Sequence, residues 1–204
     1  MMDRGALRGE FQTLRTEAVD DADTGASLVR AVPAAEIGVL RGTRVKTLRG
    51  EVAAEALRPG DRVLTRDNGY QPVDWTGRAA PLLSGSGRAV RLRKGALGRG
   101  MPERCLWVAP GQRLLIGGER LSATFGQPEV LVDARHLTCL SGVALCAAPP
   151  LPLVQVRLDR HELILCEGTW CDSLLGGPDR QDSPARPVLQ GDDLRAVLRL
   201  LAGP

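Results

Sequence analysis

The sequence predicts a compact all-β fold, and three observations support this. Many short segments alternate apolar and polar residues, as strands with one buried face do. The 24 glycines and 14 prolines among 204 residues favour a turn-rich β protein over a helical bundle. Hydrophobic residues make up 43% of the chain, yet only six residues are aromatic (three Trp, one Tyr and two Phe), so Val, Leu and Ala must fill the core.

Length and local composition predict one domain with looser ends. Residues 1–37 carry acidic clusters and no apolar stripe, which predicts a flexible leader with at most one short helix near residues 10–18. The domain is expected over residues 38–175. Residues 176–204 are predicted to begin as a linker rich in Pro, Gly, Asp and Gln and to end in a short amphipathic helix, with Asp192 as its N-cap.

The first strands are separated by recognisable turns. Residues 44–47 alternate as a half-buried strand. Pro59-Gly60 predicts a type II turn, because Pro fits the first central position and Gly accepts the positive φ that follows. Asp67-Asn68-Gly69, between strands predicted at 62–65 and 71–76, indicates a hairpin closed by a type I′ turn.

The remaining elements follow at similar spacing. Residues 79–87 are predicted to form a loop, and residues 134–140 a helical turn or two. Further strands are expected at 88–93, 105–109, 113–116, 129–132, 151–158 and 161–166. The apolar phase of the strands predicts a buried set comprising Val45, Val63, Leu64, Val73, Trp75, Leu114, Val130, Val132, Val156 and Leu163.

Charge and hydropathy narrow the range of partners. The net charge of +3, from 27 basic and 24 acidic residues, is too mixed to favour nucleic acid or an anionic membrane surface. No apolar run approaches the roughly 18 residues of a membrane span, and the N-terminus lacks the apolar core of a secretory signal. We therefore expect a cytoplasmic rather than a secreted protein, with no nucleic-acid or membrane partner.

The five cysteines do not predict a disulfide framework or a metal site. Their number is odd and no C-x-x-C occurs, so reduced and mostly buried thiols are expected. His136 and Cys139, with Cys146 or with the pair Cys166 and Cys171, could in principle supply four zinc ligands. The paired spacing typical of zinc sites is missing, and scattered buried thiols explain the same residues. We expect no metal and no cofactor.

Three blocks of sequence are distinctive when taken together. They are Gly42–Arg66, with G-T-R-V and L-R-P-G-D-R-V-L-T-R-D; residues 106–115, L-W-V-A-P-G-Q-R-L-L; and residues 158–168, L-D-R-H-E-L-I-L-C-E-G. In this order they resemble blocks of bacterial Hint (hedgehog/intein) domains. The resemblance spans roughly residues 38–175. It implies a pseudo-symmetric, horseshoe-like β fold in which two related halves embrace a self-processing site.

The same resemblance implies a chemistry that this chain is not equipped for. In the family a Cys attacks the carbonyl of the preceding residue to form a thioester, and a His in a T-x-x-H arrangement protonates the departing nitrogen. The position of the Cys is occupied by Gly38, which has no nucleophile. Ala109 and Gln112 stand at the positions of the Thr and the His, and an amide cannot shuttle a proton near neutral pH.

Three other residues are candidates for a role. His161 matches the His of the family's last block, where it could act as an oxyanion or proton-transfer partner. Alternatively it bonds a nearby backbone group, and we favour this second interpretation. Some inteins without the first nucleophile start from an internal Cys in the late block, and Cys166 and Cys171 are the candidates here. Cys166 lies in an apolar strand, where a thiol is ordinarily inert.

The functional expectation is a divergent Hint domain that has lost peptide-bond rearrangement. Such a domain would be retained as a folded binding or scaffolding module with a protein partner as yet unknown. The two ends of the chain would then serve as tethers. The alternative is an active autoprocessing domain that uses Cys166 or Cys171.

Overall fold

The structure is a computed structural model that describes residues 36–79, 87–175 and 183–202. The predicted leader, with its short helix, lies outside these residues except at positions 36 and 37. Most of the predicted loop at 79–87 and the first part of the predicted linker also lie outside them. In the described residues the chain is mostly antiparallel sheet, which confirms the predicted all-β class.

The elements are short and follow one another closely. The strands are β1 (Val39–Leu40), β2 (Arg44–Thr47), β3 (Gly50–Ala53), β4 (Arg62–Thr65), β5 (Gly69–Ala79), β6 (Arg88–Leu92), β7 (Leu106–Val108), β8 (Arg113–Gly117), β9 (Glu129–Asp133), β10 (Val143–Ala147), β11 (Leu153–Leu158), β12 (Leu163–Cys166) and β13 (Thr169–Asp172). The helices are α1 (Glu119–Phe125) and α2 (Gly191–Ala202), with 3-10 turns at Ala54–Ala56 and Ala134–Cys139. Neither α1 nor α2, the α-helices of the described residues, has the length and apolar composition that a membrane span needs.

All the strands join one connected antiparallel network. Their order is β10-β6-β7-β1-β11-β5-β4-β2-β12-β13-β8-β9, with β3 paired to β2 and an additional pairing of β4 with β12. The long strand β5 links two groups of strands, because its first residues pair with β4 and the rest pair with β11. The ladder therefore passes from one group to the other through a single strand.

Pairing between distant segments fixes the start of the domain. Val39 in β1 pairs with Val154 in β11 on one side and with Val108 in β7 on the other. Residue 38 is therefore held between the ends of two later strands. Strand β12 pairs with β2 and β4, so the first and the last of the three blocks that resemble Hint domains lie side by side.

The predicted core is correct except at two positions. Eight of the ten residues are buried, at relative exposures of 5% or less. Leu64 is only half-buried, because Val63 and Thr65 take the inward face of β4 and alternation turns residue 64 to the other face. Trp75 is 37% exposed. The register of β5 against β11 shifts beside it, because Val73 lies opposite Leu158 but Trp75 lies opposite Arg157. The residue between Val73 and Trp75 is therefore extra, and it reverses the alternation of inward and outward side chains after Val73.

Of the two predicted turns, one is correct in detail and the other only in position. Gly60 has φ +89° and the Asp61 N–H donates to the Arg58 carbonyl at 3.0 Å, as a type II turn requires. The hairpin of β4 and β5 is also present. Its predicted type I′ turn is wrong, because Thr65 pairs with Gly69 across a three-residue loop and Asn68 does not take a positive φ. Gly69 alone does, as in a hairpin with a glycine bulge.

The predicted C-terminal helix is confirmed as α2, which buries Leu194 and Val197. The prediction of Asp192 as its N-cap is wrong, because the helix begins at Gly191 and Asp192 lies in its first turn. The described residues just before it do not behave as a free linker. We call residues 183–190 the C-terminal segment. It runs beside β9, where the Leu131 N–H donates to the Pro187 carbonyl at 2.8 Å and the Leu189 N–H donates to the Leu131 carbonyl at 3.0 Å. From residue 183 onward the tail is therefore packed on the domain, which corrects the expectation that it is a tether.

Candidate functional site

The peptide bond between Ile37 and Gly38 lies where the resemblance to Hint domains would place a scissile bond. Both of its polar groups are bonded by amide side chains. The Gly38 N–H donates to Gln112 Oε1 at 2.9 Å, and the Ile37 carbonyl accepts from Gln155 Nε2 at 2.8 Å. The Gly38 carbonyl in turn accepts from the Ala109 N–H at 2.9 Å. The structure thus brings together Gly38, Ala109 and Gln112, the site positions that the sequence identifies.

Gln112 is fixed by a carboxylate behind it. Its Nε2 donates to the Asp172 carbonyl at 2.9 Å and, in a short hydrogen bond, to Asp172 Oδ1. The Arg113 N–H also donates to Asp172 Oδ1, at 3.1 Å. Because a carboxylate accepts and does not donate, it orients the Gln112 amide with its oxygen toward Gly38. Gln112 is 1% exposed, so bulk solvent does not compete for these bonds.

The local sequence explains how these residues meet. Gln112 follows Pro110-Gly111 and immediately precedes β8. Asp172 is the last residue of β13, and the pairing of Cys171 with Leu114 places it beside Arg113. Strand pairing, not proximity in the chain, therefore assembles the site.

Arg113 is the buried counter-charge of Asp172. Its side chain is 2% exposed, with Nη1 3.8 Å from Asp172 Oδ2 and Nε 3.6 Å from Asp133 Oδ1. Burial raises the pKa of Asp133 more than the nearby charges of Arg113 and Arg135 lower it. Charges this deeply buried have to be paired, which is why one arginine lies between two aspartates.

His161 is bonded on one nitrogen and faces Asp172 with the other. The Ala185 N–H donates to His161 Nδ1 at 3.0 Å, which assigns the ring proton to Nε2. That Nε2 lies 3.5 Å from Asp172 Oδ2, too far for a strong hydrogen bond. The bond to the Ala185 N–H fits the interpretation that His161 binds a backbone group. Its position next to Asp172 also places it near the site, as the other interpretation expects.

The two internal cysteines lie differently with respect to the site. Cys171 lines a cavity of about 10 Å³ together with Gly38, Gln112 and Asp172, whereas Cys166 is not among the lining residues. Both thiols are buried. A hydrogen bond with Cys166 and, after it, burial raise the pKa of Cys171 well above its ordinary value. A cavity of this size has room for about one water molecule and for no larger nucleophile.

The backbone at residue 38 is shaped for glycine. Gly38 has φ +140°, a conformation that residues with a side chain rarely adopt. A Cβ atom built there would lie 2.9 Å from the Val154 carbonyl oxygen and 3.3 Å from Leu153 Cβ. In this conformation the chain has no room for the cysteine of an active Hint domain.

The sequence patterns did not point to Asp172, Gln155 or Arg113 as site residues. One signal was available, since a charged residue at the end of an apolar strand such as Thr169–Asp172 needs a partner when it is buried. The candidate zinc set is not assembled, and the described residues contain no group of three or more His, Cys, Asp or Glu side chains placed to hold a metal ion.

Comparison with known proteins identifies the family. A Hint domain family profile matches residues 37–178. Among solved structures, a bacterial intein-like domain from Clostridium thermocellum has 13% identity and a TM-score of 0.47, covering 67% of this chain and 98% of its own. The MchDnaB-1 intein has 14% identity and a TM-score of 0.41, covering 67% and 99%. No curated protein sequence matches the chain. Because the family profile covers more than half of the 204 residues, the chain belongs to the Hint domain family.

Proposed function

We propose that this Hint domain does not rearrange its Ile37–Gly38 peptide bond and serves as a folded binding module. The observation that carries the proposal is the polarity of the hydrogen bond between Gly38 and Gln112. Thioester formation needs a proton delivered to the leaving nitrogen. Gln112 presents an oxygen that accepts the N–H of Gly38, which is the opposite of what an acid does.

The two amide contacts also support the planar form of the peptide. An acceptor on the N–H and a donor on the carbonyl match the charge distribution of an amide in its resonance form. The donor, Gln155, is the type of group that stabilises an oxyanion, so one electrostatic component of the chemistry is retained. The attacking atom and the acid are not supplied by Gly38 and Gln112.

The rate enhancement that is lost without a general acid supports an inactive site. General acid catalysis alone is typically worth about 100- to 10,000-fold in rate. Breaking amide resonance without covalent attack leaves only the slow uncatalysed reaction. The raised pKa of Cys171 keeps its thiol protonated near neutral pH, and the thiolate is the form that attacks a carbonyl.

The test is an intact-mass measurement on the purified chain of 21.8 kDa during long incubation at pH 7–8. One sample contains buffer alone, one dithiothreitol and one hydroxylamine, which cleaves thioesters. We expect the full mass to persist in all three. A discrete fragment released by the thiol or by hydroxylamine contradicts the proposal.

Cys171 gives the alternative a specific basis, because it lines the same small cavity as Gly38. The control is a variant carrying both Cys166→Ala and Cys171→Ala. If the unchanged chain releases a fragment and this variant does not, the domain is an autoprocessing protein that starts from an internal cysteine. If both release it, the nucleophile lies elsewhere.

A further inference from the structure

The C-terminal segment lies on the surface beside β9 and combines polar and main-chain contacts with the packing of Leu189 against the hydrophobic core. None of the residues 183–190 is buried, in contrast to Leu194 and Val197 of the helix that follows. The segment is nevertheless fixed at three kinds of group on the domain: a pair of carboxylates, a strand edge and a buried imidazole.

The carboxylates form a receptor for an arginine. Arg186 donates from Nη2 and Nη1 to the two oxygens of Asp67, at 2.6 and 2.9 Å, and from Nε to Glu129 Oε2 at 2.9 Å. Two parallel bonds to one carboxylate are the most specific contact that a guanidinium makes. Glu129 also accepts from Arg66, whose guanidinium lies 5.7 Å from the centre of the Trp170 ring.

The strand edge supplies main-chain recognition. Among the strands of the described residues, β9 is the last on its side of the sheet, so one row of its backbone groups is not paired with another of these strands. Leu131 uses its N–H and carbonyl to bond Pro187 and Leu189, with Val188 opposite it in a parallel bridge. An extended peptide added to an exposed sheet edge is bound in the same way.

The third contact fixes the position of the segment along the edge. The Ala185 N–H donates to His161 Nδ1 one residue before the arginine. Along the segment, the domain therefore binds first a backbone N–H, then the arginine side chain, and then two backbone groups. None of these contacts requires that the segment be covalently joined to the domain.

We propose that this surface is a binding site for an extended segment of a partner protein that carries an arginine followed by Pro and an aliphatic residue, and that the C-terminal segment occupies it in cis. The inference rests on the proposed role as a binding module and names the chemistry of the partner. A cis occupant competes at a high effective concentration, so a partner displaces it only when the Arg186 contact is weakened or the partner binds more tightly.

The experiment first weakens the binding of the C-terminal segment to the site and then offers the same segment as a separate peptide. The probe is a fluorescein-labelled peptide with the sequence of residues 183–190, and binding is followed by fluorescence anisotropy. The full-length chain with Arg186→Ala should bind the peptide at least about tenfold more tightly than the unchanged chain, in which the cis segment competes. Adding Asp67→Asn to that variant should lower the affinity on the order of tenfold, because the bidentate contact is lost.

Two controls make the result specific. A peptide with alanine in place of its arginine should bind the Arg186→Ala variant about tenfold more weakly than the unaltered peptide. Should Arg186→Ala fail to fold, as judged by circular dichroism, Arg186→Lys weakens the bidentate contact while keeping the charge, and the same comparison is made with it.

Equal affinity for both peptides, or no binding by the vacated chain, overturns the proposal. Concentration-dependent dimerisation of the unchanged chain without peptide binding also overturns it, in favour of exchange between copies. These outcomes are independent of the mass measurement. Failure of the peptide experiment therefore leaves the inactive peptide bond untouched, and release of a fragment leaves the peptide site untouched.

Discussion

Replacing Gly38 with alanine measures how closely the site is built around a residue without a side chain. The backbone conformation at φ +140° strains any residue with a Cβ by about 1–3 kcal/mol. The added Cβ also lies 2.9 Å from the Val154 carbonyl oxygen, and overpacking of this kind costs about 1–3 kcal/mol. Together they predict a loss of roughly 2–6 kcal/mol in the free energy of unfolding.

Gly42→Ala is the matched control, because Gly42 also has a positive φ of +93° but no atom within 4 Å of the place that a Cβ would take. It should lose only the strain, about 1–3 kcal/mol. Urea denaturation followed by far-UV circular dichroism measures both variants. If Gly38→Ala is no less stable than Gly42→Ala, β1 and β11 move apart easily, and the argument against a cysteine at this position is wrong.

Two further predictions concern the core and the charged surface. Leu163 is fully buried, so Leu163→Ala should lower the free energy of unfolding by about 2–5 kcal/mol. Leu48 is 62% exposed, so Leu48→Ala should change it by less than about 0.5 kcal/mol. Similar losses for the two variants in a denaturant titration would contradict the assignment of inward and outward faces to the strands. Burial alone would raise the pKa of Glu129, but hydrogen bonds from Arg66 and Arg186 hold it below the ordinary value of 4.5. Its stabilisation is therefore complete above pH 4.5 and is lost as the pH falls through the lower folded-state pKa. Between about pH 5 and pH 3 the stability of Glu129→Gln should fall less steeply than that of the unchanged chain, and equal slopes in denaturation experiments would refute this.

Local patterns predicted much of the fold because strand alternation and turn chemistry are properties of neighbouring residues. Residues 44–47 and Pro59-Gly60 are examples. The failures arose where a distant strand intervened. Trp75 is exposed because the register of β5 against β11 shifts, and β11 lies about eighty residues further along the chain. No periodicity within residues 71–76 contains that information.

The candidate site could be predicted only in part. The family resemblance identified positions 38, 109 and 112, which the structure brings together. It did not reveal Asp172, which orients the Gln112 amide. A charge at the end of an apolar strand signals that a partner is needed, but nothing in the local pattern identifies a partner sixty positions away. Gln155 could not be identified for a similar reason. It occupies one position of a mostly buried strand, and its partner, the Ile37 carbonyl, lies near the other end of the domain in sequence.

The placement of β1 between β7 and β11 has a consequence for synthesis on the ribosome. Val39 cannot pair with Val154 until the intervening residues have been made, and Val45 in β2 waits still longer for Cys166. At roughly 5–20 residues per second, a separation of about 115 residues corresponds to some 6–23 seconds. During that time the first strands lack these pairing partners, and their apolar faces are available to chaperones or to neighbouring nascent chains. Expression at lower protein concentration, or together with a chaperone that holds unfolded chains, should therefore raise the yield of soluble domain more than it would for a fold of local contacts.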